Sequence, residues 1–188
     1  MQILKESFPE FRFPWDAKSF VTRDEGTLLA VLALGQTVLE LGSQYGRSTI
    51  CMAQTAKMVH AVDWHQGDEQ AGKTDSLHAF CDNVNKYGCW EKVILHLGRF
   101  EDVLPGFQDE YFDLIFIDGL HTAEAVARDI EMVRRLLKPD GTWAFHDYGR
   151  DRLPGVKTSV DRLLGPVHKK VNYLGIIHAA GRISTGVV

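Results

Sequence analysis

The sequence predicts an α/β protein: a doubly wound, mostly parallel sheet with helices on both faces. Three observations predict it. Short apolar runs alternate with segments of helical period along most of the chain. Each run closes on glycine, acid or histidine, the residues that start turns and sites. The run Phe112–Asp118 is apolar enough to be covered on both sides, as a central parallel strand is.

The elements follow in order. Residues 1–23 carry Pro9 and Pro14 among Phe8, Phe11, Phe13, Trp15 and Phe20, which fits an arm or lid packed on a surface. Asp24 is a plausible N-cap for a helix through Leu28, Leu29, Val31 and Leu32, stopped at Gly35. Val38–Leu41 is a short buried strand and Ser48–Lys57 a helix. Val59–Asp63 is the second strand, and Ser76–Tyr87 a helix ended by Gly88. Val93–Leu97 and Phe112–Asp118 are the third and fourth strands. Val126, Ile130, Val133 and Leu137 recur at helical spacing, predicting a helix from Thr122 to Lys138. Pro139-Asp140-Gly141 is then a turn, Thr142–His146 the fifth strand and Gly155–Leu164 a helix. The tail, Val167–Gly181, has the pattern of a final strand pair.

Composition bounds the function. The chain has 188 residues, 45% hydrophobic and 24% charged, which fits one domain over residues 1–188. A net charge of −4 without a basic stripe gives no expectation of a nucleic-acid partner. Three cysteines without CxxC spacing, no apolar signal core at Met1–Phe13 and no membrane-length apolar run lead us to expect a cytoplasmic protein with reduced thiols and no membrane partner.

Parallel sheets bind ligands beyond the carboxyl ends of their strands, so chemistry is expected just after each strand. Glu40-Leu41-Gly42-Ser43-Gln44-Tyr45-Gly46 lies between the first strand and a helix. Its glycines permit a tight turn and close approach of a ligand, and the following helix opens with free N–H groups. A dinucleotide fingerprint would want glycine at positions 44 and 47, where Gln44 and Arg47 stand. A P-loop is excluded because no Gly-Lys-Ser/Thr follows. After the fourth and fifth strands come Ile117-Asp118-Gly119-Leu120-His121 and His146-Asp147-Tyr148, so two carboxylates and two imidazoles are expected to face one cleft.

The acidic-x-Gly-x-x-x-Gly pattern, with Asp63 closing the second strand, resembles class I S-adenosylmethionine-dependent methyltransferases, which are Rossmann-like. Relatives often carry a further glycine where Gln44 stands. The run from Phe112 to Tyr148 adds Ile-Asp-Gly-x-His, Leu-Lys-Pro-x-Gly and His-Asp-Tyr, with Gly155-Val156 opening a helix soon after. This resembles the small catechol-type and metal-dependent sugar O-methyltransferases, and the likeness covers roughly residues 36–165.

The resemblance implies S-adenosylmethionine as cofactor. Gly42, Ser43 and Gly46 would lie against its methionine and ribose, and Glu40 near its amino group. Asp63 would accept from the ribose hydroxyls, and Trp64 would pack on the adenosine. Gly98, Arg99 and Phe100 would flank the adenine, with Asp118 also at the cofactor. In those relatives acids after strands four and five hold a divalent metal beside the acceptor, which implies Asp118 and Asp147 here. Tyr148 stands where relatives have a second acid or amide, leaving His121 or His146 to complete the set. Carboxylates and water favour Mg²⁺, whereas imidazole tilts the preference to Mn²⁺, Fe²⁺ or Zn²⁺.

The implied reaction is O-methylation of a small-molecule hydroxyl. The hydroxyl needs help to lose its proton, either from the metal or from His121 as general base. His146 is a further candidate catalytic group or a brace for the loop. Asp118 and His121 could instead serve only the start of the helix at Thr122. The acceptor pocket is expected among Met1–Arg23, His65–Asp75 and Gly149–Pro154, with Trp64, Tyr148 and the N-terminal aromatics lining it. An apolar C-terminal strand is a possible homodimer interface by analogy. Two other functions are compatible with such a sheet, a nicotinamide-dependent oxidoreductase and a non-catalytic module that keeps the fold.

Overall fold

The computed structural model describes residues 10–70 and 72–179. The parts of the arm and tail readings that fall on residues 1–9 and 180–188 lie outside the described residues.

Helix α1 spans Arg23–Leu32 and strand β1 Thr37–Leu41. Helix α2 (Arg47–Ala53) and strand β2 (Met58–Asp63) follow. Two short strands, β3 (Gly67–Asp68) and β4 (Gly72–Lys73), then form a separate antiparallel ribbon. Helix α3 (Leu77–Lys86), strand β5 (Val93–Leu97), the single turn α4 (Phe100–Val103) and strand β6 (Phe112–Ile117) come next. The chain ends with α5 (Ala123–Val133), β7 (Leu137–Phe145), α6 (Pro154–Leu164), β8 (Lys169–Val171) and β9 (Leu174–His178).

The main sheet has seven strands in the order β5-β2-β1-β6-β7-β9-β8. The first five are parallel, while β9 runs antiparallel to both β7 and β8. This is the doubly wound arrangement that the sequence predicts.

The alternation of side chains across each strand divides the core into two layers. Val38, Val59, Ala61, Leu114 and Phe116 pack on one face with Leu29 of α1, Ile50 and Met52 of α2, and Phe80 and Val84 of α3. Leu39, Leu41, Val62, Ile115 and Ile117 pack on the other with Val126, Ile130 and Val133 of α5 and Val160 of α6. β1 is buried along its whole length and carries one charged residue, Glu40.

Several boundaries differ from the sequence reading for physical reasons. The cap of α1 is Thr22, not Asp24: Thr22 and Glu25 form a capping box. α2 ends at Ala53, four residues short of the expected Lys57. There the Thr55 carbonyl accepts from Gly35 N–H at 3.0 Å and the Thr55 hydroxyl donates to Ala30 O, tying the chain to the end of α1. The helix expected to run to Lys138 stops at Val133. The carbonyls of Arg135 and Leu136 accept from Glu110 and Tyr111 N–H, both at 2.9 Å, and Leu137 pairs with Phe112. Backbone pairing with the strand entrance thus outweighs one more helical turn, and Pro139-Asp140-Gly141 becomes an irregularity inside β7 rather than a turn before it.

The described part of the arm is fastened down. Arg47 donates to the carbonyls of Trp15, Ser19 and Val21, and Phe13 is buried against Gly26 and Cys51. At one sheet edge the outermost strand is β8, whose Lys169 and Lys170 are exposed, while the apolar β9 is interior.

Candidate active site

The parallel strands deliver their carboxyl ends to one side of the sheet. After β1, the segment 42–46 turns on three positive φ angles: 86° at Gly42, 43° at Gln44 and 85° at Gly46. Ser43 and Gln44 donate their backbone N–H groups to Asp63 Oδ2, each at 2.8 Å, and His65 N–H donates to Oδ1 at 2.7 Å. The acid at the end of β2 thus shapes the glycine loop. The Ser43 hydroxyl is buried and has no partner, a polar atom placed for a ligand.

Glu40 lies behind this loop. It is fully buried, and its carboxylate accepts from the hydroxyls of Ser48 and Thr49. Burial pushes its pKa up to about 8 against those two hydrogen bonds, so its carboxyl is mostly protonated at neutral pH.

Gly98 N–H donates to the Asp63 carbonyl at 3.1 Å, bringing the end of β5 beside that of β2. The Arg99 guanidinium covers the Trp64 ring 4.1 Å from its centroid, and the indole N–H donates to Gly67 O at 2.7 Å. Phe100 packs on Gly119, where an added Cβ would stand 3.1 Å from its ring. Glu40, Gly42, Ser43, Gly46, Asp63, Trp64, Gly98, Arg99, Phe100 and Asp118 therefore fall at or just beyond the carboxyl ends of the neighbouring strands β1, β2, β5 and β6.

The second group lies where β6 and β7 end side by side, Ile117 opposite Phe145. Asp118, His121, His146 and Asp147 each offer one ligand atom, all within 4.8 Å of one another. His121 Nε2 is 3.3 Å from Asp118 Oδ1 and 3.1 Å from Asp147 Oδ2. His146 Nδ1 is 3.2 Å from Asp118 Oδ1 and 3.5 Å from Asp147 Oδ2. Asp147 reaches inward from a backbone with φ of 55°, a conformation Asp tolerates better than most residues. Its other oxygen accepts from Arg150 at 2.8 Å.

Burial alone would raise the Asp118 pKa, but the adjacent His146 charge and hydrogen bonds from His121 and His146 outweigh it and hold the group at about 2. Burial would lower the His121 pKa, yet hydrogen bonds to Asp118 and Asp147 lift it to about 9. His146 is raised well above its ordinary value, with Asp118, Asp147 and Glu25 overcoming burial. Asp147 is held far below the usual range by His121, His146 and Arg150, again against burial. Two acids and two imidazoles that lock protons between them form a donor set suited to a divalent cation, which would replace those protons.

The group opens on one side. Asp118 and His121 side chains keep 20% and 21% of their surface exposed, against 5% for Asp147 and 3% for His146. Beside His121 a cavity of about 350 Å³ is lined by Gln70, residues 121–123, residues 152–155 and Thr158. Two of the three segments expected to form an acceptor pocket contribute to it, and the described N-terminal arm does not. Trp64 and Tyr148 are not in its lining either. Tyr148 is 5% exposed, packs in the core and donates to Asp161, because the left-handed turn at Asp147 directs it beneath the loop.

Sequence reasoning missed three residues here. Gln70 accepts from His121, Glu25 stands 3.5 Å from His146 Nε2, and Arg150 pairs with Asp147. Only Glu25 had a local signal, the Thr22-x-x-Glu25 spacing of a capping box. Thr122, not Asp118, caps α5, which leaves the Asp118 carboxylate free for the cluster.

The fold agrees with known proteins. A putative O-methyltransferase from Klebsiella pneumoniae superposes with a TM-score of 0.66 at 19% identity, covering 86% of this chain and 82% of that one. An O-methyltransferase from Bacillus cereus, solved in complex with SAH, gives 0.64 at 18% identity, with 86% and 83% covered. TomG, an O-methyltransferase from Streptomyces achromogenes solved in complex with SAM, gives 0.58 at 18% identity, with 85% and 72% covered. The family model described as a methyltransferase domain matches residues 39–148, from the first core strand to the His-Asp-Tyr run. With more than half of its length matched, and the glycine loop and the acid–histidine cluster both inside the match, this chain belongs to that methyltransferase family.

Proposed function

We propose that this protein transfers a methyl group from S-adenosylmethionine to an oxygen of a small-molecule acceptor, with a divalent cation, Mg²⁺ or Mn²⁺, held by Asp118, Asp147, His121 and His146. The observation that carries the reading is the convergence of those four groups beside both the glycine loop and the cavity. The cofactor's fit rests on the partnerless Ser43 hydroxyl and on the left-handed turns of the 42–46 loop.

When bound, S-adenosylmethionine supplies an activated methyl group and the cation supplies Lewis-acid stabilisation of the acceptor oxygen. The chain's own residues do the rest. Asp63 holds the 42–46 loop in shape, and Trp64, Arg99 and Phe100 provide the flat surfaces for an adenosine. The open side of His121 lines the cavity in which the acceptor would sit, with Asp118 next to it. Positioning matters most in methyl transfer, because the sulfonium already carries the activation.

His121 acts better as a ligand than as a base. Without a cation its lone pair is occupied by a proton held up to about pH 9, so it has no free site at neutral pH. The Gln44 and Arg47 positions argue against a nicotinamide cofactor. Calorimetric titration with S-adenosylhomocysteine, with and without Mg²⁺ or Mn²⁺, tests the reading. One tight site per chain and a metal-dependent change are expected. Absence of binding under every condition would overturn it.

A further inference from the structure

Between β2 and α3 the chain leaves the sheet and returns. The excursion is tied at its base, where Ser76 N–H donates to His65 O at 3.1 Å. It is stiffened by the β3–β4 ribbon, which pairs Gly67 with Lys73 and Asp68 with Gly72. Gln70 stands at its tip, and its amide oxygen reaches a residue 51 positions further along the chain. That oxygen lies 3.1 Å from the backbone nitrogen of His121 and 3.0 Å from its Nδ1.

These two contacts have one chemical solution. A backbone N–H can only donate, so the Gln70 atom facing it is the oxygen and not the amide nitrogen. The same oxygen faces Nδ1, so Nδ1 carries a proton. In the neutral ring the lone pair is then on Nε2, the atom that lies 3.1 Å from Asp147 Oδ2 and 3.3 Å from Asp118 Oδ1.

We propose that Gln70 is a positioning residue that sets the tautomer and ring orientation of His121, so that Nε2 is presented to a cation held between Asp118 and Asp147. The proposal rests on the metal-assisted reading above. Outer partners of metal-bound histidines act in this way, and losing one weakens metal binding by ~10–100-fold. Gln70 also borders the cavity, and its ribbon begins beside Trp64, so one segment links the cofactor wall, the acceptor space and the ligand His121.

The test uses the full chain and Mn²⁺ alone, with free Mn²⁺ followed by electron paramagnetic resonance. Gln70→Met keeps the length of the side chain and removes the acceptor. It is expected to weaken Mn²⁺ binding ~10–100-fold while S-adenosylhomocysteine affinity stays within threefold. Gln70→Glu keeps an oxygen acceptor and should restore Mn²⁺ binding to within threefold of the native chain. Long-range ¹H–¹⁵N spectra of the metal-free native protein with His121 neutral should show the proton on Nδ1 alone, and Gln70→Met should show a mixture of the two tautomers. Equal Mn²⁺ affinity in the native and Gln70→Met proteins would overturn the role of Gln70 and leave the metal reading standing. No Mn²⁺ binding by the native protein would overturn both.

Discussion

Gly42 and Asp118 meet backbone to backbone: a Cβ on Gly42 would stand 2.3 Å from the Asp118 carbonyl oxygen. The glycine that opens the 42–46 loop is therefore also the seat of the first acid of the cluster. Gly42→Ala would add this clash to a φ of 86°, and left-handed backbone alone costs about 1–2 kcal/mol for a residue with a Cβ. The variant is expected to lose at least ~2 kcal/mol of stability and to weaken S-adenosylhomocysteine and Mn²⁺ together. Denaturant unfolding and parallel titrations check it.

Asp63 has a double task. Its carboxylate already accepts three backbone N–H groups, and the proposed ribose contact adds to them. Asp63→Asn is expected to weaken S-adenosylhomocysteine at least ~10-fold and to lower stability by about 1–3 kcal/mol as one loop N–H loses its acceptor. Calorimetry and thermal unfolding read the two effects; unchanged cofactor affinity would move the ribose elsewhere.

Asp147→Asn keeps a residue type that tolerates the left-handed backbone, so the turn should survive. Removing the charge should lower Mn²⁺ affinity at least ~10-fold and leave S-adenosylhomocysteine affinity nearly unchanged. Equal Mn²⁺ affinity would dissolve the proposed metal centre.

Cation binding should release protons. His121 holds its proton up to about pH 9 when no cation is present, and a bound cation must displace it. Calorimetric Mn²⁺ titrations at pH 7 in buffers of different ionisation enthalpy should therefore report net proton release, lost on Asp118→Asn. In the metal-free protein the raised His121 pKa stabilises the fold fully below pH 6.5, and that contribution fades as pH rises through about 9.

Glu40 should behave in the opposite sense to a salt-bridged acid. Its folded pKa of about 8 lies above the ordinary 4.5, so the fold binds its proton more tightly than the unfolded chain does. Its contribution is largest below pH 4.5 and declines as pH climbs towards 8. Glu40→Gln keeps hydrogen-bonding partners for Ser48 and Thr49 and removes the titration. At pH 8 it is expected to stabilise the fold relative to the native chain, because the unfolded chain has by then given up the proton that the folded Glu40 still holds. Denaturant midpoints across pH 5–9 test this.

The parallel sheet was legible because buried strands announce themselves by apolar runs, and the site because its acids and histidines sit directly after those runs. Asp118, His121, His146 and Asp147 could be grouped from sequence, since Phe112–Ile117 and Leu137–Phe145 had to be neighbours in such a sheet. The variant Gln44 is explained by its φ of 43°: the position has the geometry glycine favours and is held by the bond to Asp63. Gln70 and Arg150 could not be read, because they act across turns whose conformation no local pattern specifies. The end of α5 was misjudged because Leu137 suits a helix by period, while backbone partners at Glu110 and Tyr111 are distant in sequence.

Glu25 joins the first described helix to the last strand pair. Its carboxylate caps α1 through Thr22, accepts from Tyr173 N–H at 2.8 Å and faces His146 Nε2 at 3.5 Å. The partners lie as far as 148 positions apart in sequence. During synthesis α1, the central strands and even His146 emerge while this carboxylate still lacks the closing strand pair. The bond from Tyr173 to Glu25 is thus made only when the last strands dock, and the entropy of closing so long a loop is spent before that contact is gained. A chain cut before Tyr173 would carry Asp118, His121, His146 and Asp147 and still lack the backbone N–H that holds Glu25 beside His146.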